Sequence, residues 1–244
     1  MELSGVDDLV DTKRIGAVLP SVNTVIEPLY WRHLPPGVAL HATRLFLPAR
    51  LTTEDVARLN DGVEAAGHNL ASCHVDVVAY MCTASGFAAD PAAERAAMNA
   101  LGTTAGAPVV TVVEALREAT RALCMTRPLL VSPYTTELER AEIEMLGGWG
   151  LDVVAHNSFR ISDAFRLAAP SPADIVELAR RTWVPQADGI LITCANLRSQ
   201  EAIGELEHEY GVPVVTSTQA PLWSSLRKLG WRGALPGWGR LFTC

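Results

Sequence analysis

Two thiols stand at matching places in two copies of one pattern. The first copy runs from Asp76 through an apolar stretch to Cys82 and Thr83, the second from Asp188 to Cys194 and Ala195. In both, the sulfur follows the acid by six residues, and the two sulfurs are 112 positions apart. A thiolate can act as nucleophile or base, and a thiol facing it can act as an acid. Two such groups on opposite faces of a small molecule can add and remove a proton, or attack a carbon and later release it. An enolate intermediate held by N–H and O–H donors would need no cofactor. Each apolar run reads as a buried strand, so both sulfurs emerge at a C-terminal strand end, where open α/β sheets bind ligands. A thiol there, at a helix N-terminus, is expected to have a lowered pKa.

The loops after the strands carry hydroxyl and amide side chains: Pro20 to Thr24, Cys82 to Gly86, Ser132 to Thr136, Cys194 to Ser199 and Thr216 to Gln219. Helix N-termini beyond such loops offer free N–H groups and favour carboxylate or phosphate. The candidate ligand contacts are Ser21, Asn23, Thr83, Ala84, Ser85, Tyr134, Ala195 and Asn196, around catalytic Cys82 and Cys194. The expected ligand is a small carboxylate or dicarboxylate. No GxGxxG follows the first strand and no GxxxxGK[ST] occurs, which argues against a nucleotide. Plainer readings stand beside these. Free cysteine is often a small buried hydrophobe, and that reading is preferred for Cys73, Cys124 and Cys244. Asn23 can cap a helix, Tyr134 can be a packed aromatic, and Arg198 reads as an exposed arginine.

The elements that must hold these residues also repeat. Residues 14–19 and 129–131 read as strands, each running into a proline, Pro20 and Pro133. Gly106-Ala107-Pro108-Val109-Val110-Thr111 matches Gly211-Val212-Pro213-Val214-Val215-Thr216. Three pairs in one order point to a doubled α/β unit. Strands are expected at 14–19, 38–46, 75–81, 109–111, 129–131, 151–155, 189–193 and 214–216. Helices are expected at 27–35, 52–73, 91–101, 113–123, 137–146, 171–183, 200–210 and 221–229. Alternating strands and helices imply parallel sheets with helices on both faces. The expected architecture is α/β with two pseudo-symmetric lobes, each a parallel four-stranded sheet flanked by helices, and the active site in the cleft between them. The first lobe would span 13–113, joined by the C-terminal segment 218–242, and the second 114–217.

Composition narrows the function classes. The chain has 244 residues, 49% of them hydrophobic, enough for a substantial core. Its net charge of −7 comes without the basic patches of nucleic-acid binders, so no nucleic-acid partner is expected. No long apolar run or signal-like start is read, so no membrane partner is expected either. The five cysteines are widely spaced with no CxxC, which fits free thiols in a reducing cytoplasm. The six histidines form no metal-ligand spacing with them, and no metal is expected.

Taken in order, the motifs Pro20-Ser21-Val22-Asn23-Thr24, Tyr80 to Gly86, Ser132-Pro133-Tyr134, Thr193 to Arg198, Gly211 to Ala220 and Gly237 to Leu241 resemble the aspartate/glutamate racemase superfamily. The resemblance spans about 14 to 242. It is nearest the branch of maleate cis-trans isomerases, arylmalonate decarboxylases and racemase-like proteins of ectoine utilisation. It implies a cofactor-independent enzyme, and a homodimer. Carried over, Cys82 is the nucleophile that attacks an alkene carbon, and Cys194 handles the proton. Asn23 and Tyr134 hold carboxylates. Arylmalonate decarboxylases keep only the second cysteine, with glycine at the first position, so the two thiols here favour an isomerase or racemase. The alternatives are a malonate-type decarboxylase using Cys194 alone, or a carboxylate-binding protein without catalysis. One departure stands out. Maleate isomerases usually carry Asp-Asn where this chain has Asp163-Ala164, and that segment looks nearer the ectoine-utilisation branch.

Overall fold

A computed structural model describes residues 12–50, 52–88 and 90–244. Its strands form two parallel sheets. In the first, β1 (Lys13–Pro20), β2 (Val38–Leu45), β3 (Val77–Tyr80) and β4 (Val109–Thr111) lie in the order β2-β1-β3-β4. In the second, β5 (Pro128–Ser132), β6 (Ala155–Ser158), β7 (Gly189–Ile192) and β8 (Val214–Thr216) lie in the order β6-β5-β7-β8. The four-stranded sheets inferred from the repeat are present, strand for strand. Central strands β3, β5 and β7 are buried along their whole length. That is why they read as continuous apolar runs rather than alternating ones.

The acid that opens each copy of the cysteine pattern has a structural task. Asp76 accepts a hydrogen bond from the Arg14 backbone N–H at 2.7 Å, and Asp188 accepts one from that of Thr126 at 2.8 Å. Each ties the entry of its sulfur-bearing strand to a point 62 residues earlier, beside the central neighbouring strand. The repeat is therefore one of tertiary contacts as well as residue types.

The helices are α1 (Ile26–His33), α2 (Thr53–Arg58), α3 (Val63–Ala71), α4 (Ser85–Ala88), α5 (Pro91–Ala105), α6 (Val112–Ala122), α7 (Thr136–Gly148), α8 (Pro172–Thr182), α9 (Ala202–Tyr210) and α10 (Ala220–Lys228). Their starts are written locally. Asp90 caps α5 through the N–H groups of Ala92 and Ala93, and Thr111 caps α6 through that of Glu114. Ser171 and Asp174 form a reciprocal capping box on α8.

Two expectations are corrected. The helix expected over 52–73 is broken into α2, a 3-10 turn at Leu59–Gly62 and α3. Gly62 sits so close to the sheet that a Cβ there would meet Leu45 Cδ2 at 2.9 Å. The strand expected over 151–155 begins only at Ala155. Leu151 instead closes α7, its N–H donating to the Leu146 carbonyl across Gly150 at φ +86°. The strand that forms, β6, is a half-exposed edge strand of polar composition, so apolar patterning misses it.

Apolar packing does not stop at the gap between the sheets. Val78, Tyr80 and Cys82 share one buried cluster with Val131, Tyr134, Ile192 and Cys194. The C-terminal helix α10 lies against α6, and Trp238, fully buried, packs on Tyr30 and Phe242. Among the described residues no helix is long and apolar enough to cross a membrane.

Candidate active site

In each sheet the strand order reverses between the first and third strands, β1 and β3 or β5 and β7. Loops leaving the two strands of such a switch point diverge to opposite faces and open a crevice. The first crevice is framed by Pro20 to Thr24 and Cys82 to Ser85, the second by Ser132 to Tyr134 and Cys194 to Asn196. The two crevices face one another and close into a single cavity of about 40 Å³. Its wall carries both sulfurs with Asn23, Thr83, Ala84, Tyr134, Ala195 and Asn196.

Direct bonds join the halves around it. The residue after each cysteine meets its counterpart: the Ala195 N–H donates to the Thr83 hydroxyl at 3.2 Å. Asn23 caps α1 by accepting from the Val25 and Ile26 N–H groups, and its amide donates across to the Ala195 carbonyl at 3.0 Å. Asn196 accepts from the Thr24 N–H at 3.0 Å and donates to the Val22 and Ala164 carbonyls. Cys194 itself sits at φ +94°, a conformation costly for a residue with a Cβ. Its N–H donates to the Ser217 hydroxyl at 3.0 Å, which helps to hold that turn.

The expected lowering of the thiol pKa is not met. Burial pushes Cys82 up to about 11 and Cys194 up to about 12. Donors oppose the burial and are outweighed by it. The backbone N–H groups of Ser85 and Ala84 and the Ser85 hydroxyl favour the Cys82 thiolate. The Asn196 N–H and the Tyr134 hydroxyl favour the Cys194 thiolate. The nearby Cys82 and Glu142 charges raise Cys194 further. Burial also carries the Tyr134 phenol well above its ordinary value, so it stands as a neutral donor.

Two sequence-derived candidates lie outside the cavity wall. The Ser21 hydroxyl is engaged with Leu47, accepting from its N–H at 3.0 Å and donating to its carbonyl. The Ser85 side chain donates to the Cys82 carbonyl and to Glu94, both at 3.1 Å, while its N–H and hydroxyl both lie near enough to favour the Cys82 thiolate. Leu47, Val56 and Leu167 complete the wall. They were not readable in advance, because only the packing of the segments after β2 and β6 over the crevices brings them there. Ala164 is fully buried, and Asp163 caps the following turn through the Phe165 and Arg166 N–H groups. Arg198 points away, to the Ala169 and Pro170 carbonyls. The largest surface groove, about 650 Å³ between Phe159 and Arg181, reaches neither sulfur. It is wide and open to the surface, whereas chemistry with two thiols needs the enclosed place where both are present. Among the described residues no group of His, Cys, Asp and Glu is placed to hold a metal.

Comparison with known proteins agrees with this arrangement. The chain is 30% identical to an arylmalonate decarboxylase of Bordetella bronchiseptica, over 95% of its own length and 97% of the relative's. It is 27% identical to a maleate isomerase of Nocardia farcinica, over 94% and 95%. A solved structure of a Nocardia farcinica maleate cis-trans isomerase variant, with a covalently bound succinylcysteine intermediate, superposes with a TM-score of 0.86. The identity there is 26%, and the match covers 95% of this chain and 98% of that one. The model of the arylmalonate decarboxylase family matches residues 15–242, and the chain belongs to that family.

Proposed function

We propose that the protein is a cofactor-independent cis-trans isomerase of a small unsaturated dicarboxylate, with maleate as the first substrate to test. One observation carries the reading: two thiols from two matched strand ends share one enclosed cavity. Cys82, a thiol at rest, first gives its proton to water, and the thiolate adds to one alkene carbon, forming a C–S bond. The S–H bond of Cys194 breaks, and its proton forms a C–H bond at the neighbouring carbon. The former double bond is now single and rotates. The Cys194 thiolate removes the proton again, the C–S bond breaks, and the trans isomer leaves. No atom or electron is gained or lost, so the cycle needs no co-reactant.

The roles follow from the donors. Cys82 has two backbone N–H groups and a hydroxyl to support a thiolate, while Cys194 has one N–H and the Tyr134 phenol. The better-supported sulfur is the nucleophile, and the other carries the proton. Asn23 and Tyr134, with the amides of the two cysteine loops, supply donors for the carboxylates. Cys82 also separates this reading from malonate decarboxylation by Cys194 alone.

The experiment is turnover of maleate and related unsaturated diacids, followed by proton NMR in D2O. Cys82→Ser and Cys194→Ser should each lower the rate by at least about a thousandfold, as loss of a nucleophile or proton carrier does. Near-normal turnover in either variant removes the two-thiol mechanism. Decarboxylation of an arylmalonate that persists in Cys82→Gly would assign the decarboxylase reaction instead.

A further inference from the structure

Three polar side chains are buried behind Cys194, outside the cavity wall, with no well-formed hydrogen bond to their side-chain oxygens. They are Ser132, Glu142 and Thr193, whose hydroxyl and carboxyl oxygens are all enclosed. Ser132 ends β5 and Thr193 directly follows β7. The pairing of Val131 with Ile192 sets these two residues side by side. Glu142 faces them from α7, with none of its surface exposed. A buried carboxyl without partners costs several kcal/mol if charged, so such a group calls for an explanation.

The groups that Glu142 faces are identified. The Thr193 hydroxyl is near enough to ease its charge without forming a full hydrogen bond, and Glu139 stands one turn away on the same helix. Tyr134, before α7, and Cys194, after β7, both feel its charge. Glu139 has the Arg160 guanidinium at 3.5 Å and the His156 ring nitrogen at 3.3 Å. The short helix α4, also packed on α7, contributes no titratable side chain.

We propose that the Glu142 carboxyl, facing Thr193 behind the sulfur, is a positioning residue whose protonation state sets how readily Cys194 releases its proton. In the addition step the Cys194 S–H bond breaks, the proton goes to carbon and the electron pair stays on sulfur. A protonated Glu142 adds no charge beside that new thiolate. An ionised Glu142 places a second negative charge behind it and opposes the step. Burial pushes Glu142 up to about 8, so the neutral form prevails at neutral pH. The inference rests on Cys194 carrying the proton, as argued above.

The test reads the sulfur itself. Initial rates of iodoacetamide labelling at Cys194 are followed by peptide mass spectrometry over a neutral-to-alkaline pH series, in the full chain and in Glu142→Gln and Glu142→Leu. Both substitutions abolish the charge, and either suffices if the other fails to fold. The rate curve should move to lower pH by about half a unit or more, giving about threefold faster labelling at a fixed alkaline pH. A merely structural role would lower stability and leave the curve in place. Superimposed curves, or a move to higher pH, overturn the proposal. Infrared difference spectra of the unmodified chain supply a second reading. A protonated-carboxyl band should vanish as pH passes about 8 and be missing in the Gln and Leu variants. Absence of that band at neutral pH also overturns it. Failure of the isomerase reading would appear separately, as full turnover by Cys194→Ser with the labelling shift intact.

Discussion

At the scale of single residues, the site is a contest between burial and donation. Each sulfur receives N–H groups at the start of a turn, the arrangement that ordinarily lowers a thiol pKa. Each is also closed off by the opposite half of the molecule, and that desolvation wins. The consequence is measurable without a substrate. Cys82, pushed up to about 11, is protonated through the neutral range, and its thiolate fraction grows tenfold per pH unit up to that value. Alkylation of Cys82 should therefore be about a hundredfold or more slower at neutral pH than that of an ordinary exposed thiol. Peptide-resolved alkylation rates check this, and a rate equal to that of a free thiol would show that donors outweigh burial. Sequence foretold which residues would meet, because Cys82, Thr83, Cys194 and Ala195 follow from a repeat and a strand end. It did not foretell the sign of the pKa shift, which depends on how completely two remote lobes enclose the sulfurs. Ser21 and Ser85 were misplaced for a similar reason. A hydroxyl in a loop can serve the ligand or the loop, and only neighbours such as Leu47 and Glu94 decide.

At the scale of elements, α7 is the unusual one. It buries two acidic side chains, Glu139 and Glu142, against the second sheet. Its sequence shows apolar residues at helical spacing with acids between them, and nothing in that pattern marks Glu139 and Glu142 as buried. The enclosing strand β7 lies far off in sequence, and no local pattern marks the Arg160 loop as a neighbour, so the burial was not legible. Helix starts at α5, α6 and α8 were legible, since a cap needs only residues three apart. Burial of Glu142 has a thermodynamic signature. An ordinary carboxyl titrates near 4.5, and burial pushes this one up to about 8. Between those values the folded chain holds a proton that the unfolded chain has lost. Stability from this group is thus fully present below the lower value and is lost as pH rises through the upper one. The loss is on the order of a few kcal/mol. Glu142→Gln removes it, so the melting temperature of this variant relative to the parent should climb steadily from acid to mildly alkaline pH. A constant difference across that range would mean that Glu142 is hydrated or ion-paired when folded.

At the scale of the whole molecule, the two halves act on each other through few bonds. The cavity volume, about 40 Å³, is close to one water's share of the liquid, about 30 Å³. Such a cavity is tight for a four-carbon diacid, so the halves are expected to part for it to enter and meet again for both sulfurs to reach it. Asn196 makes two of the bonds that join them, beside those of Asn23 and Thr83 to Ala195. Asn196 accepts from Thr24 in the first half and donates to Val22 there and to Ala164 in its own half. It is 6% exposed, so water does not replace those bonds when the side chain is cut back. Asn196→Ala leaves the buried Ala164 carbonyl and the part-buried Val22 carbonyl and Thr24 N–H without their partner, at a cost of about 1–3 kcal/mol. For a chain of this size that lowers the melting temperature by roughly 2–4 °C per kcal/mol. The effect on catalysis should exceed the effect on stability. Both thiols remain, yet the closed state that joins them is populated less, and the rate of a two-thiol reaction scales with that population. Turnover should fall at least about tenfold for a closed state weakened by about 1.4 kcal/mol, while labelling of Cys82 and Cys194 by iodoacetamide becomes faster as the cavity opens. Slower turnover without faster labelling would place the role of Asn196 in substrate contact rather than in closure.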